Sequence, residues 1–273
     1  MFNLEPVRQY KLLRPPLAQA LAQVRFPIMA RLHTLEGIAG LQEVLAPDFP
    51  YMDRVTEMAI AVGPTLGLEA QPEQAVVWHF TNDHGHLLIV GSNVVTLSVA
   101  DQYAGIGNFS AMFERVLTAI KQTLNPRRCD RVAVRFLDVV DDAEGGWKDW
   151  FNQDLVGWSS SETVRGDTQL VASVSQIQLA SPPVDQLATC HGDVQAVVRH
   201  GVANSNSVIP GLPPVTLQTR SFFLDMDLFV AVSQPFDSTP LVGQFRAMHS
   251  QIDRFFRWTL TPAGEKRFGL EER

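Results

Sequence analysis

Residues 214–232, PVTLQTRSFFLDMDLFVAV, decide how this chain folds. With the two-residue repeat of a β-strand, Phe222, Leu224, Met226, Leu228, Val230 and Val232 share one face. Ser221, Phe223, Asp225, Asp227 and Phe229 share the other. Two neighbouring carboxylates on a half-apolar face must be hydrated, paired or bound to something. The stretch therefore predicts a long strand of an antiparallel sheet with a polar site inside it.

Upstream, residues 168–180 and 185–200 read as two more long strands. The turn-rich segments SPPVD and GVANSNSVIPGLPP connect the three, and the second is long enough to be a mobile or binding loop. Downstream, Pro240 opens a final helix whose core face is Leu241, Phe245, Met248, Ile252, Phe255 and Phe256, and Pro262 marks a break before the tail. Gly145-Gly146 is the expected joint between two halves, followed by a short helix carrying Trp147, Trp150, Phe151 and Leu155 and closed by Gly157.

In the first half, LAQALAQVRF alternates Ala20, Ala22, Val24 and Phe26 with Leu21, Gln23 and Arg25 and reads as a strand ended by Pro27. Thr34 is placed to cap a helix with Leu35, Ile38, Leu41 and Leu45 as its stripe. Residues 50–74 look irregular, with weak strand character around Met58–Val62. Three short strands follow, at 74–81, 86–90 and 94–100, as a meander. Asn108 is the expected cap of a strongly amphipathic helix presenting Phe109, Met112, Phe113, Val116, Leu117, Ile120 and Leu124, and residues 131–140 form a clear strand. The expected fold is α+β: two subdomains of mostly antiparallel sheet packed with helices, residues 1–145 and 146–273, the first related to ferredoxin-like folds.

The chain has 273 residues, 45% of them hydrophobic and 19% charged, which suits a globular protein with a sizeable core. A net charge of −7 argues against nucleic acid or an anionic membrane as partner, since phosphate neutralisation needs clustered cations. The basic cluster Arg127, Arg128 and Arg131 reads as a solvated corner. Cys129 and Cys190 match no metal or redox spacing, and neither a signal-peptide core nor a membrane-length apolar run is seen. A cytoplasmic location is expected.

Three arginines on strands expected to be buried on at least one side, Arg25, Arg131 and Arg135, are the candidate partners of Asp225 and Asp227. Such a set either holds a polar ligand or divalent ion or forms a structural ion-pair network. His249, at the edge of the last helix's apolar stripe with Asp253 one turn on, is the candidate general base facing the aspartate strand. A hairpin that brings His79 and His86 face to face, with Asp83 and His84 between, would suit zinc, but the spacing matches no zinc signature and His84 sits at the expected turn tip beside Gly85. Phosphate-loop, dinucleotide, nucleophile-elbow and HExxH motifs are missing from the sequence, so no cofactor is expected.

The order of PPLAQALAQVRF, Trp78-x-Phe80, Tyr103 with its amphipathic helix, RVAVRFLDVV, LDMDLF and the His249 and Phe255-Phe256 helix resembles one family. It is a sporadically distributed family of uncharacterised bacterial proteins with an N-terminal PLxxxxxxVRF-like strand and a C-terminal LDxD motif. The resemblance implies no activity; its patchy distribution is similar to that of defence, toxin–antitoxin or mobile-element cargo, and a bacterial defence, toxin–antitoxin or regulatory system is the expected context. The leading expectation is a non-catalytic binding or interaction protein, with a protein partner or a second copy of the chain. The alternative is a metal-dependent enzyme acting on a phosphodiester or similar substrate, with Asp225 and Asp227 holding the ion and His249 as base. RNA binding on a ferredoxin-like sheet is a weaker reading, opposed by the acidic charge.

Overall fold

Alternation of small apolar and polar side chains in residues 17–25 gives a strand with Ala20, Ala22 and Val24 fully buried on one face. The computed structural model describes residues 1–4, 10–59, 73–100, 102–141, 146–160, 168, 170–205 and 217–272. Up to residue 141 the elements are β1 (Tyr10–Leu12), β2 (Leu17–Arg25), α1 (Leu35–Leu45), β3 (Tyr51–Ala59), β4 (Glu73–Thr81), β5 (Leu87–Val90), β6 (Val94–Val99), α2 (Ile106–Thr123), β7 (Arg128–Cys129) and β8 (Arg131–Asp141). The rest are α3 (Trp147–Trp150), α4 (Gln153–Val156), β9 (Ser173–Ser181), β10 (Val194–Ala203), β11 (Ser221–Val230), β12 (Gln234–Pro235), α5 (Ser238–Thr259), α6 (Pro262–Phe268) and β13 (Leu270–Glu272).

The fold is α+β. A nine-stranded antiparallel sheet runs in the order β3-β4-β5-β6-β2-β8-β11-β10-β9 and is packed against helices. Two compact units divide the chain: residues 1–20, 133–231 and 243–273 form one, and residues 21–132 with 232–242 form the other. The joint expected after residue 145 falls at the end of 142–145, which lie outside the described residues. No helix among the described residues is long and apolar enough to cross a membrane.

In the unit built around residues 21–132, β4, β5 and β6 pair in turn as an antiparallel meander, with Trp78 opposite Val90 and Leu88 opposite Leu97. Thr34 caps α1 by accepting a hydrogen bond from the Gly37 amide at 3.2 Å. Ile38, Leu41 and Leu45 are buried as the stripe requires, but Leu35 at the first helical position is exposed. Buried Trp78 donates its indole N–H to the Leu32 carbonyl at 2.6 Å. Two expectations are corrected here. Residues 51–59 are a strand, β3, whose pairing with β4 runs from Tyr51↔Thr81 to Ala59↔Glu73; residues 60–72 lie outside the described set. The helix α2 starts at Ile106 after Gly105, not after Asn108, whose side chain instead donates back to the Ala104 carbonyl.

In the other unit, β10 pairs antiparallel with both β11 and β9, and α5 supplies buried Phe245, Met248, Ile252, Phe255 and Phe256. The strand expected over 185–200 is shifted: Asp185–Leu187 is a 3-10 turn and β10 occupies Val194–Ala203. The tryptophan-bearing segment is two short helices broken at Phe151, which bridges to Leu260. The chain breaks between α5 and α6 just before Pro262, which itself starts α6. Thr261 caps α6 by accepting from the Gly264 amide, Pro262 fills the first position where no amide is needed, and Gly269 closes the helix with φ 64°. The tail then pairs with the front of the chain, β1 against β13.

Candidate functional site

Asp225 sits at the centre of β11 with no exposure to solvent. In the ladder it stands directly opposite Arg199 of β10, and Arg199 stands opposite Gln176 of β9. Side chains opposite one another project from the same face, so the three form one row. Arg135 of β8, the other neighbour of β11, completes it. Its guanidinium grips the carboxylate side-on, Nε to Oδ1 at 2.6 Å and Nη2 to Oδ2 at 2.9 Å. Arg199 Nη1 donates to Oδ2 at 3.0 Å and its Nε donates to Gln176 Oε1 at 2.8 Å.

The row Arg135, Asp225, Arg199, Gln176 is thus a charge-assisted chain across four neighbouring strands. Both arginines are nearly closed off, their side chains 17% and 16% exposed. Burial pushes the Asp225 carboxyl above the ordinary carboxylate range, and the guanidiniums of Arg135 and Arg199 pull against that rise. Asp227 lies on the same face one pair along, opposite Val197, and is half-buried. Arg131 donates to Gln23 Oε1 at 2.7 Å, and Gln23 donates to Thr96 Oγ1 at 3.0 Å. Arg25 is exposed, with its Nε 3.4 Å from the same Gln23 oxygen. Of the expected site residues, Arg135 and Asp225 are therefore joined directly, and Arg199 and Gln176 are the members the sequence reading left out.

His249 is not a base for this row. Arg135 and Phe136 are consecutive in β8 and so point to opposite faces of the sheet. Arg135 holds Asp225, whereas the Phe136 ring meets the His249 ring edge-on at 5.1 Å. The sheet therefore separates His249 from Asp225. Burial drives the imidazole down to about 4, which keeps it neutral near pH 7. Asp253 does not orient it either; its Oδ1 accepts the hydroxyl of Tyr10 at 2.8 Å. Burial raises the carboxyl of Asp253, against the Tyr10 hydrogen bond, and burial followed by the Asp253 charge raises the Tyr10 phenol.

The strand face that carries Phe136 also carries Asp138, which is buried. Its carboxyl is pushed up to about 8, chiefly by burial and further by the charge of Asp225. The sequence holds a signal for it: an aspartate inside RVAVRFLDVV, three positions from Arg135 and hence on the opposite face.

The histidines of the β4–β5 turn are held by Asn82. Its Oδ1 accepts from the amides of His84 and His86, both at 3.1 Å, while its Nδ2 donates to the Asp48 carbonyl. His79 stands opposite Ile89, so the hairpin does not place it against His86. Among the described residues no three His, Cys, Asp or Glu side chains converge as a ligand set for a metal. A cleft of about 400 Å³ opens at the start of α1. Its one cation, Arg31, is spent on the Leu124 and Thr123 carbonyls at the end of α2. Comparison with protein-family models, curated proteins and solved structures found no match.

Proposed function

We propose that this chain is a non-catalytic binding protein that engages another polypeptide through an edge of its sheet that no described strand covers. The observation that carries this reading is β9, SVSQIQLAS, the last strand in the sheet order. Its residues are exposed on both faces, with Val174 and Ile177 49% and 42% accessible. It contains no charge, no proline and no glycine, the devices that ordinarily protect an edge from further pairing. The strand at the opposite end of the order, β3, carries Asp53 and Arg54 and has that protection.

Strand addition is a general mode of polypeptide recognition in which main-chain hydrogen bonds supply affinity and alternate side chains supply selectivity. The Asp225 row then serves as a staple that fixes β8, β11, β10 and β9 in register. The metal-dependent reading loses support on the same geometry. Both oxygens of Asp225 are taken by guanidinium groups, which place positive charge where a cation would bind. The test is affinity capture from a bacterial lysate with the wild-type chain and with Ile177→Lys, a substitution that charges the edge. A stoichiometric protein retained by the wild type and lost from the variant supports the reading. Equal recovery on both, or recovery of none by a chain that also fails to self-associate, overturns it.

A further inference from the structure

We propose that the strand added to β9 belongs to a second copy of this chain, the two β9 strands pairing antiparallel about a two-fold axis at Ile177. This rests on the edge-strand reading above and names its partner. A two-fold interface must be self-complementary, each residue i meeting j while j meets i. The β9 sequence meets that condition. About Ile177, Gln176 faces Gln178 of the partner, Ser173 faces Ser181, Val174 faces Ala180 and Ser175 faces Leu179. No pair sets like charges together, which is the usual penalty when a surface meets its own copy.

The register inside the chain says what each face would gain. Ile177 stands opposite Val198 of β10, which stands opposite Met226 of β11, both fully buried. Ile177 meeting its own copy would carry that apolar layer across the axis and cover a side chain that is now 42% exposed. Val171 and Val184, exposed just outside the two ends of β9, would lie at the margins of the same contact. On the other face Gln176 spends its Oε1 on Arg199. Its amide nitrogen, which bonds no described residue, is free to donate to Gln178 of the partner. An amide is both donor and acceptor, so it suits a pairing with its like. The polar row from Arg135 would then continue through the axis into the second copy.

The experiment is light scattering and sedimentation of the full chain at micromolar concentration. The wild type is expected at twice the monomer mass. Ile177→Lys and Ile177→Glu, each placing like charges on the axis, are expected to be monomers with unchanged far-ultraviolet dichroism. An equal mixture of the two is expected to regain the dimer, a rescue that local unfolding of β9 does not produce. A wild type that stays monomeric, a dimer that survives both substitutions, or a mixture that stays monomeric overturns the proposal. Failure here is distinguishable from failure of the broader reading. A monomeric wild type that still captures a lysate protein in an Ile177-dependent way removes only the second copy as partner. A β9-dependent dimer that captures nothing leaves self-association as the whole of the interaction.

Discussion

Arg135 holds both oxygens of Asp225 across two neighbouring strands that lie 90 residues apart in the chain. Arg199 adds a third bond from the other side. Removing the carboxylate leaves two largely buried guanidiniums without a counter-charge, the costly way to break such a set. Asp225→Leu is expected to cost about 3 kcal/mol, the low end of the range because both arginines keep some contact with water. The triple variant Arg135→Met, Asp225→Leu, Arg199→Met is expected to recover most of that loss. Urea unfolding of the three proteins measures both; an Asp225→Leu midpoint equal to wild type contradicts the staple.

Asp138 predicts a stability that declines with rising pH. Its folded-state value of about 8 lies above the ordinary carboxylate value. Between about pH 4 and that value the folded chain therefore keeps a proton the unfolded chain has lost. The stabilisation is complete below about pH 4 and is lost as pH rises, by up to about 1.4 kcal/mol per pH unit from this group. Asp138→Asn lacks the titration. Its stability relative to wild type should be greater at pH 8.5 than at pH 5.5, and an equal difference at both speaks against a buried, protonated Asp138.

His249 acts with the opposite sign. Its folded-state value of about 4 lies below the ordinary imidazole value of about 6.5. The unfolded chain therefore binds a proton the folded chain refuses, and stability is lost as pH falls through that interval. His249→Gln should move the midpoint of acid unfolding to lower pH. A midpoint left in place would mean that the ring is solvated when folded.

Gly201→Ala tests how β9 is attached. Gly201 has φ 151°, and a methyl group there would lie 1.8 Å from the Ser173 carbonyl oxygen. The first residues of β9 are expected to separate from β10 and lose amide-exchange protection at Ser173–Ser175, while β11 keeps its own. Unchanged protection at Ser173 would show that the backbone absorbs the methyl group.

Sequence periodicity located β2, α2, α5 and β11 because each carries a buried face at the spacing its geometry imposes. It also brought Arg135 together with Asp225, since a buried carboxylate wants a fork-shaped cation. It missed Arg199 because the partner of a strand residue is set by register, which no local pattern encodes. It missed β3 because an edge strand buries little: most of Tyr51–Thr56 is exposed, and charges interrupt the alternation. His249 looked convergent with Asp225 on the helix wheel; only the sheet order and the alternation of Arg135 and Phe136 place a layer between them.

The clasp of β1 on β13, with Tyr10 beside Glu272 and Leu12 beside Leu270, has a temporal consequence. During synthesis Leu12 emerges 258 residues ahead of Leu270, the difference of the two positions. At about 5–20 residues per second this is a wait of roughly 10–50 s. Throughout it the early strand has no mate, and the Tyr10 hydroxyl has no Asp253 to meet. The unit containing both ends of the chain can close only after translation has passed β13, long after most of residues 21–132 are available to fold.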